Sequence, residues 1–293
     1  QIKLNLMLDY AALVALAEII RRGSFEEAAA ALGVTPSAIS QRIKGLEERM
    51  GQVVIHRGPP ARGTAMGLRL MQHLDQVRVL EQALGTDPGA APATLRLAIN
   101  ADSLATWFPP VMTALDVIYD LVVDDQDHAR DWLRKGEVSA AISSDPEPVP
   151  GCDAYALGHM RYHALATPAF IARYFPGGVT EAALRQAPSV IFNMKDAAQS
   201  RWAESLTGTK LHLSGHQVPA SEAFARVVEL GLGWGMIPDS MAAPALAANR
   251  LAYLAPDLPL DIALYWHVQR AIRPALAPLT SAIRKRAAEN LRP

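Results

Sequence analysis

A single cysteine, Cys152, stands among 293 residues, so the chain can form no internal disulfide, which suits a reducing compartment. It lies in the Pro-rich stretch VPGCD and reads as structural rather than as a reactive thiol. Long apolar runs are missing as well. Charge, Gly or Pro interrupts each one before the roughly 18 to 20 residues that a membrane span requires, and no basic-then-apolar leader is visible. The expectation is a soluble, cytoplasmic protein with no membrane partner. Signatures of catalysis are also lacking: there is no Walker loop, GxGxxG, HExxH, CxxC or GxSxG pattern, and the eight histidines lack metal-ligand spacing. A non-enzyme without metal or cofactor is expected.

An excess of charge of one sign is the last absence. The formal net charge is −1; residues 1–85 carry ten Lys/Arg against eight Asp/Glu, and the remainder 18 against 21. Bulk charge therefore does not establish a nucleic-acid partner, and only the placement of the charges can. What is present is ample apolar material, 50% of the residues with 19% charged. That composition supports two or three ordinary cores, so more than one domain is expected.

Three blocks follow along the chain. Residues 7–85 are helical in pattern, 86–93 (TDPGAAPA) form a Pro/Gly/Ala linker, and from Thr94 short strands alternate with helices. The last pattern predicts α/β architecture with mainly parallel sheets.

In the first block Leu8, Leu13, Leu16, Ile19 and Ile20 recur at helical spacing up to Gly23. SFEE, residues 24–27, then sets Glu27 three residues after a hydroxyl, the pattern of a reciprocal capping box. Gly33 closes this second helix, and Thr35 with Pro36 opens a third as N-cap and first helical residue. Ala38, Ile39, Ile43, Leu46 and Met50 form its apolar stripe, while Ser37, Ser40, Gln41 and Lys44 face away. Two helices joined by a tight turn, with hydroxyls, an amide and a base at the start of the second, fit insertion into a DNA major groove. An ordinary polar helix face is the other reading. The following VVIHRGPPARGTAMG favours the first, since a short strand, a Pro/Gly turn with Arg57 and Arg62, and a Thr-started helix make a basic wing beside the recognition helix. From Thr64 the repeat Leu68, Met71, Leu74, Val77, Leu80, Leu84 predicts a long linker helix. A lone helix cannot bury such a stripe, so it is expected to pack against a second copy, setting two recognition helices on successive half-sites.

SFEEAAAALGVTPSAISQRIKGLEERMG with HRGPPARGTAMG resembles the DNA-binding domain of LysR-type transcriptional regulators, and the likeness runs the length of the chain. GQVVIHRGPPARGT, NADSLATWF, DDQDHARDWLRKGEV, PVPGC, SEAFARVVELGLGWGMIP and LYWH resemble the branch that senses lysine and arginine and controls basic amino-acid export, also described as an inhibitor of chromosome initiation. The resemblance implies a multidomain fold: a winged helix-turn-helix over 7–64, a linker and dimerisation helix with hinge over 65–93, and an α/β effector module of two periplasmic-binding-protein-like subdomains. Subdomain I takes 94–163 and 265–293, and subdomain II takes 164–264. It places Pro36, Ser37, Ser40 and Gln41 at base edges and Arg57 or Arg62 at the wing, with Thr35 and Lys44 on the same DNA-facing end. Where some relatives carry a wing-tip arginine this chain has Pro59-Pro60, so minor-groove reading falls to Arg57 or Arg62. Ser and Gln contacts specify less sharply than a bidentate Arg to guanine, so DNA shape carries part of the specificity. Double-stranded DNA, a basic amino acid, a second copy of the chain as dimer or tetramer, and RNA polymerase are the implied partners.

Ligands of open α/β sheets bind at the carboxyl ends of strands. LRLAI ends at Asn100, Asp102 and Ser103, followed by an apolar helix in which Pro109 and Pro110 fit only near the first turn. Free amides at that helix start suit a carboxylate, while Asp102 either caps the helix or offers charge to an ammonium. A second acidic group, Asp124, Asp125 and Asp127, ends the VIYDLVV strand, either as a solvated loop or as partner of a cation. RYHALAT (161–167) reads as the crossing into subdomain II and DIALYWHV (261–268) as the return, with Trp266 a hinge core residue. Between them come SVIFN, a helix over 196–206, LHLSGHQV, a helix from Ser221 and the LGWGMIP turn and strand. Ser143, Asn193, Ser221, Glu222 and Met236 complete the candidate effector residues. Two rivals to the regulator stand beside it: a stand-alone amino-acid-binding protein, which the first 85 residues oppose, and an architectural or replication-inhibiting DNA protein that needs no effector.

Overall fold

The computed structural model describes residues 8–85, 91–124 and 129–293. Each of the first helices starts where a side chain satisfies free amides. Asp9 accepts from Ala11 and Ala12 at the head of α1 (Tyr10–Arg22), which Gly23 ends at φ 73°. Ser24 accepts from Glu27 to open α2 (Phe25–Ala31). Only half of the expected capping box forms: the Ser24 hydroxyl gives its proton to the neighbouring Glu26 carboxylate. Thr35 caps α3 (Pro36–Met50), whose Ile39, Ile43 and Leu46 bury against α1 and α2. The wing is an antiparallel pair, β1 (Ile55–His56) and β2 (Arg62–Gly63).

Thr64 caps α4 (Ala65–Ala83), the linker helix. Part of its apolar stripe is buried within the chain itself. Leu70, Met71 and Leu74 complete the helix-turn-helix core, while Val79 joins the core of the effector module, so one chain covers much of the helix from both sides. Polar positions help, because buried Gln72 bonds Ser139 and buried Asp75 pairs with Arg21 at 2.5 Å. Of the stripe named from sequence, Leu84 is left 76% exposed.

The effector module begins with β3 (Thr94–Asn100) and a single turn, α5 (Ala101–Ala105). The expected apolar helix stops there and resumes as a 3-10 segment, Pro109–Ala114. Two consecutive prolines remove two amides and restrict the residues before them, so no continuous α-helix passes through. Next come β4 (Ile118–Asp124), α6 (Ala129–Lys135) and β5 (Ala140–Ser143). The crossing strand β6 (Cys152–Ala166) is 15 residues long and starts well before the expected RYHALAT. Beyond it lie α7 (Pro168–Tyr174), α8 (Glu181–Gln186), β7 (Ser189–Ile191), α9 (Ala198–Thr207), β8 (Gly215–Gln217), α10 (Ser221–Glu229), β9 (Gly235–Pro238), α11 (Asp239–Ala247) and β10 (Ala252–Tyr253). The return strand β11 (Leu260–Gln269) leads to α12 (Ala277–Asn290).

Among the described residues the large sheet has the order β10-β6-β11-β5-β3-β4, with β9 also on β6. It is mixed rather than mainly parallel, which corrects the expectation. β3 pairs parallel with β4 and β5, but β11 runs antiparallel to β6 along its whole length because one strand leaves subdomain I and the other returns. These two strands join both subdomains through one sheet and one core. Trp266, fully buried on β11 with its indole N–H donated to Thr280, is a core residue of that junction.

Candidate functional site

Two surfaces gather the candidate residues. On the first, the Thr35 hydroxyl accepts the Ala38 amide at 3.2 Å, which turns the start of α3 outward. Thr35, Pro36, Ser37, Gln41 and Lys44 are exposed there and Ser40 half-exposed, opposite the buried Ile39 and Ile43. Lys44 has Glu48 one turn on, at 3.8 Å. The wing lies alongside, and a groove between them is lined by Phe25, Pro36, Ser40, Arg57 and Pro59 among others. Arg57 packs back over the Phe25 ring, 5.4 Å from its centroid, and stands 3.7 Å from Glu47. Arg62 is exposed on β2. The recognition-helix start and the wing thus form one face on which hydroxyl, amide and cationic groups reach solvent together, the combination that reads groove edges and phosphates.

The second surface is a cleft between the subdomains. Asp102 enters it from subdomain I, Tyr162 and Ile262 from the crossing strands, and Asp196, Gln199, Ser221, Phe224 and Met236 from subdomain II. The Tyr162 hydroxyl donates to Asp102 Oδ2 at 2.7 Å. The Ser221 hydroxyl stands beside the same carboxylate and favours its charged form, as Tyr162 does, but burial outweighs both and holds the acid well above the usual carboxylate range, with Asp196 adding to the rise. Asp196 itself is committed to the chain: its oxygens accept the amides of Phe192 at 2.9 Å and Ala198 at 3.0 Å. Gln199 donates to the Val190 carbonyl at 2.7 Å, while its buried Oε1 has no hydrogen-bond partner among the described residues. Among the described residues no Lys, Arg or His lines the cleft.

Of the residues named from sequence, Asp102, Ser221 and Met236 line the cleft. Asn100 and Ser103 sit just behind it, 1% and 0% exposed, and their side-chain polar atoms bond nothing among the described residues. Ser143 is buried at the end of β5 and accepts the Asp145 amide. Asn193 shapes the turn before α9, accepting the amides of Lys195 and Asp196. Glu222 is exposed on the first turn of α10. Asp125 and Asp127 lie outside the described residues. Sequence reasoning did not single out Tyr162, Phe192, Asp196, Gln199, Phe224 or Ile262. Alternation along β6 places Met160, Tyr162 and Ala164 on one buried face, but only the antiparallel register, which sets Tyr162 opposite Leu260 and Pro238, turns that face to the cleft.

Among the described residues no helix is long and apolar enough to cross a membrane. Residues 10–68 match the bacterial regulatory helix-turn-helix protein family, lysR, and residues 89–288 match the LysR substrate binding domain. The HTH-type transcriptional regulator ArgP of Pseudomonas aeruginosa is 42% identical over 295 residues, covering 98% of both chains. The crystal structure of ArgP from Mycobacterium tuberculosis superposes with a TM-score of 0.83 at 38% identity, covering 98% of this chain and 99% of that one. Full-length LysG of Corynebacterium glutamicum, with bound effector Arg, gives a TM-score of 0.70 at 36% identity over 98% and 100% of the two chains. A wing beside a capped recognition helix, a cleft spanned by two crossing strands and these matches over nearly the whole length agree: the chain belongs to the LysR family of DNA-binding transcriptional regulators.

Proposed function

We propose that this regulator binds lysine or arginine in the cleft between its effector subdomains and, as a cytoplasmic dimer or tetramer, activates a gene for basic amino-acid export. The observation that carries the reading is Asp102: a half-buried carboxylate held between Tyr162, Ser221 and apolar walls, in a cleft whose lining supplies no cation among the described residues. An isolated charge in such a place is costly unless a partner arrives with the opposite charge. A basic amino acid brings two cations and one carboxylate. Asp102 takes a cation, Gln199 Oε1 accepts from an ammonium, and the uncapped first turn of α10 at Ser221 offers amides to the ligand carboxylate. Asn100 and Ser103 back this wall behind Asp102, and Asn193 shapes the turn that carries Asp196. The effector-bound relative from Corynebacterium glutamicum supports the ligand class, and the likeness to the export-controlling branch supports the target.

Because the ligand touches both subdomains it favours one relative angle, and a few kcal/mol of preference suffices to couple the cleft to DNA. Thr35, Pro36, Ser37, Ser40, Gln41 and Lys44 then meet the major groove and Arg57 and Arg62 the flanking phosphates, with RNA polymerase as the downstream partner. Calorimetric titration with lysine, arginine and neutral amino acids tests the site. Micromolar to millimolar binding of a basic amino acid, lost in Asp102→Ala, is expected, and no binding by either basic amino acid refutes it. A DNA footprint indifferent to both would favour an architectural protein that needs no effector.

A further inference from the structure

We propose that Asp102 holds either a proton or the cationic effector, so that effector binding expels a proton from the cleft to solvent. The inference rests on the basic amino-acid reading above and adds a second, competing occupant of the same carboxylate.

The geometry gives the empty-cleft carboxylate few partners that could offset a negative charge. From β6, Tyr162 donates to Oδ2 at 2.7 Å. From α10, Ser221 stands beside it, and Glu222 on the same turn is exposed. From the turn before α9 comes Asp196, a like charge. Phe192, Phe224, Met236 and Ile262 form the apolar remainder. Among the described residues no positively charged side chain lines the space, which holds two hydroxyls, a second carboxylate, the Gln199 amide and hydrocarbon. Two neutral donors offset only part of the cost of a charge held in such surroundings. Burial accordingly raises the acid's pKa, and Asp196 raises it further. A proton on Asp102 also has somewhere to point: the Ser221 hydroxyl oxygen is buried and has no other hydrogen-bond partner among the described residues. In that form the proton links Asp102 of subdomain I to Ser221 of subdomain II and stands where the ligand cation will stand.

The exchange balances simply. The neutral acid releases H+ to solvent, the ligand keeps its own protons, and the resulting carboxylate pairs with the ligand cation. Linkage sets the consequence: below the free-state pKa of Asp102, affinity falls tenfold for each unit drop in pH, and above it affinity is flat. Acidification therefore weakens effector binding without any change in effector concentration.

Calorimetry with arginine at neutral pH, in phosphate and in Tris, reads the exchange directly. The binding heats are expected to differ in proportion to the protons released and to the difference between the two buffers' ionisation heats, with affinity rising as pH rises toward the free-state pKa of Asp102. Equal heats together with pH-independent affinity overturn the proposal while leaving the basic amino-acid reading intact. A second measurement does not need the ligand. The infrared difference between the free wild-type chain and Asp102→Asn is expected to show a neutral-carboxyl band at neutral pH. Absence of that band means an ionised Asp102 and overturns the proposal. Its presence in a chain that binds neither arginine nor lysine would keep the proton and refute the ligand.

Discussion

Asp102 and Asp261 are two carboxylates whose surroundings push them in opposite directions, and the stability of the unliganded chain inherits both signs. Burial raises Asp102, so the native state holds a proton that the unfolded chain gives up. The stability from this group is complete below the unfolded pKa and is lost as pH rises through the folded one. Asp102→Asn removes that loss, so its Tm is expected to exceed the wild type's at neutral and alkaline pH, with the gap closing toward acid. Asp261 accepts both guanidinium N–H groups of Arg161, at 2.8 and 2.7 Å, and its pKa is lowered. Its contribution is present above the unfolded pKa and lost as pH falls through the folded one. Because the pair is partly solvated, Asp261→Asn costs only about 0.5 kcal/mol at neutral pH. Gly158 is the third residue that stands apart. Its φ is +116°, and a Cβ there would come within 2.5 Å of the Arg292 carbonyl oxygen, where residues 159 and 292 exchange backbone hydrogen bonds. Gly158→Ala is expected to cost about 1–3 kcal/mol in urea unfolding, with faster amide exchange at His159 and Arg292.

Among the elements, α3 is the one whose surface and stability separate most cleanly. Thr35→Ala removes the bond to the Ala38 amide and is expected to cost about 1 kcal/mol. Gln41 is exposed and packs on nothing in the core, so Gln41→Ala leaves Tm unchanged and lowers discrimination between target and unrelated DNA more than it lowers non-specific affinity. Equal losses on every DNA would contradict a base-edge role. Arg62→Ala on the wing weakens binding across sequences and reduces the slope of log affinity against log salt by about 1. Elements of this kind were legible in the residues because caps and helical periodicity are local. Thr35, Pro36 and Gly23 each act within one turn, and the structure shows those helix ends where the sequence puts them. The helix expected after Asn100 is cut to a single turn and resumes as a 3-10 segment at the Pro109-Pro110 pair, an equally local effect.

Across the whole molecule, α4 ties the DNA-binding domain to the effector module through glutamines. Buried Gln72 meets the Ser139 hydroxyl at 2.5 Å, in either orientation of its amide. Gln76 donates to Gln269 at 2.6 Å, and Gln269 donates on to the Val138 carbonyl. Gln269 ends the strand β11 whose other end carries Ile262 into the cleft. Gln76→Ala is expected to leave arginine binding unchanged by calorimetry and to reduce the effect of arginine on the DNA footprint. An unaltered response would place the coupling in other contacts.

The residues alone determined the order of domains, the capped recognition helix with its wing, the linker, and the acidic strand end at Asn100–Ser103, because each rests on spacing within a few residues. Only the tertiary structure decided what Asp102 meets. Tyr162 lies 60 positions away along the chain, and Ser221, Asp196 and Gln199 farther still. The register of two long antiparallel strands brings them together. The same holds for α4, whose stripe in sequence points to a second copy, while the fold buries Met71 and Leu74, with neighbouring Val79, within the chain itself and leaves Leu84 exposed. Periodicity says that a face must be buried, and only the fold says against what.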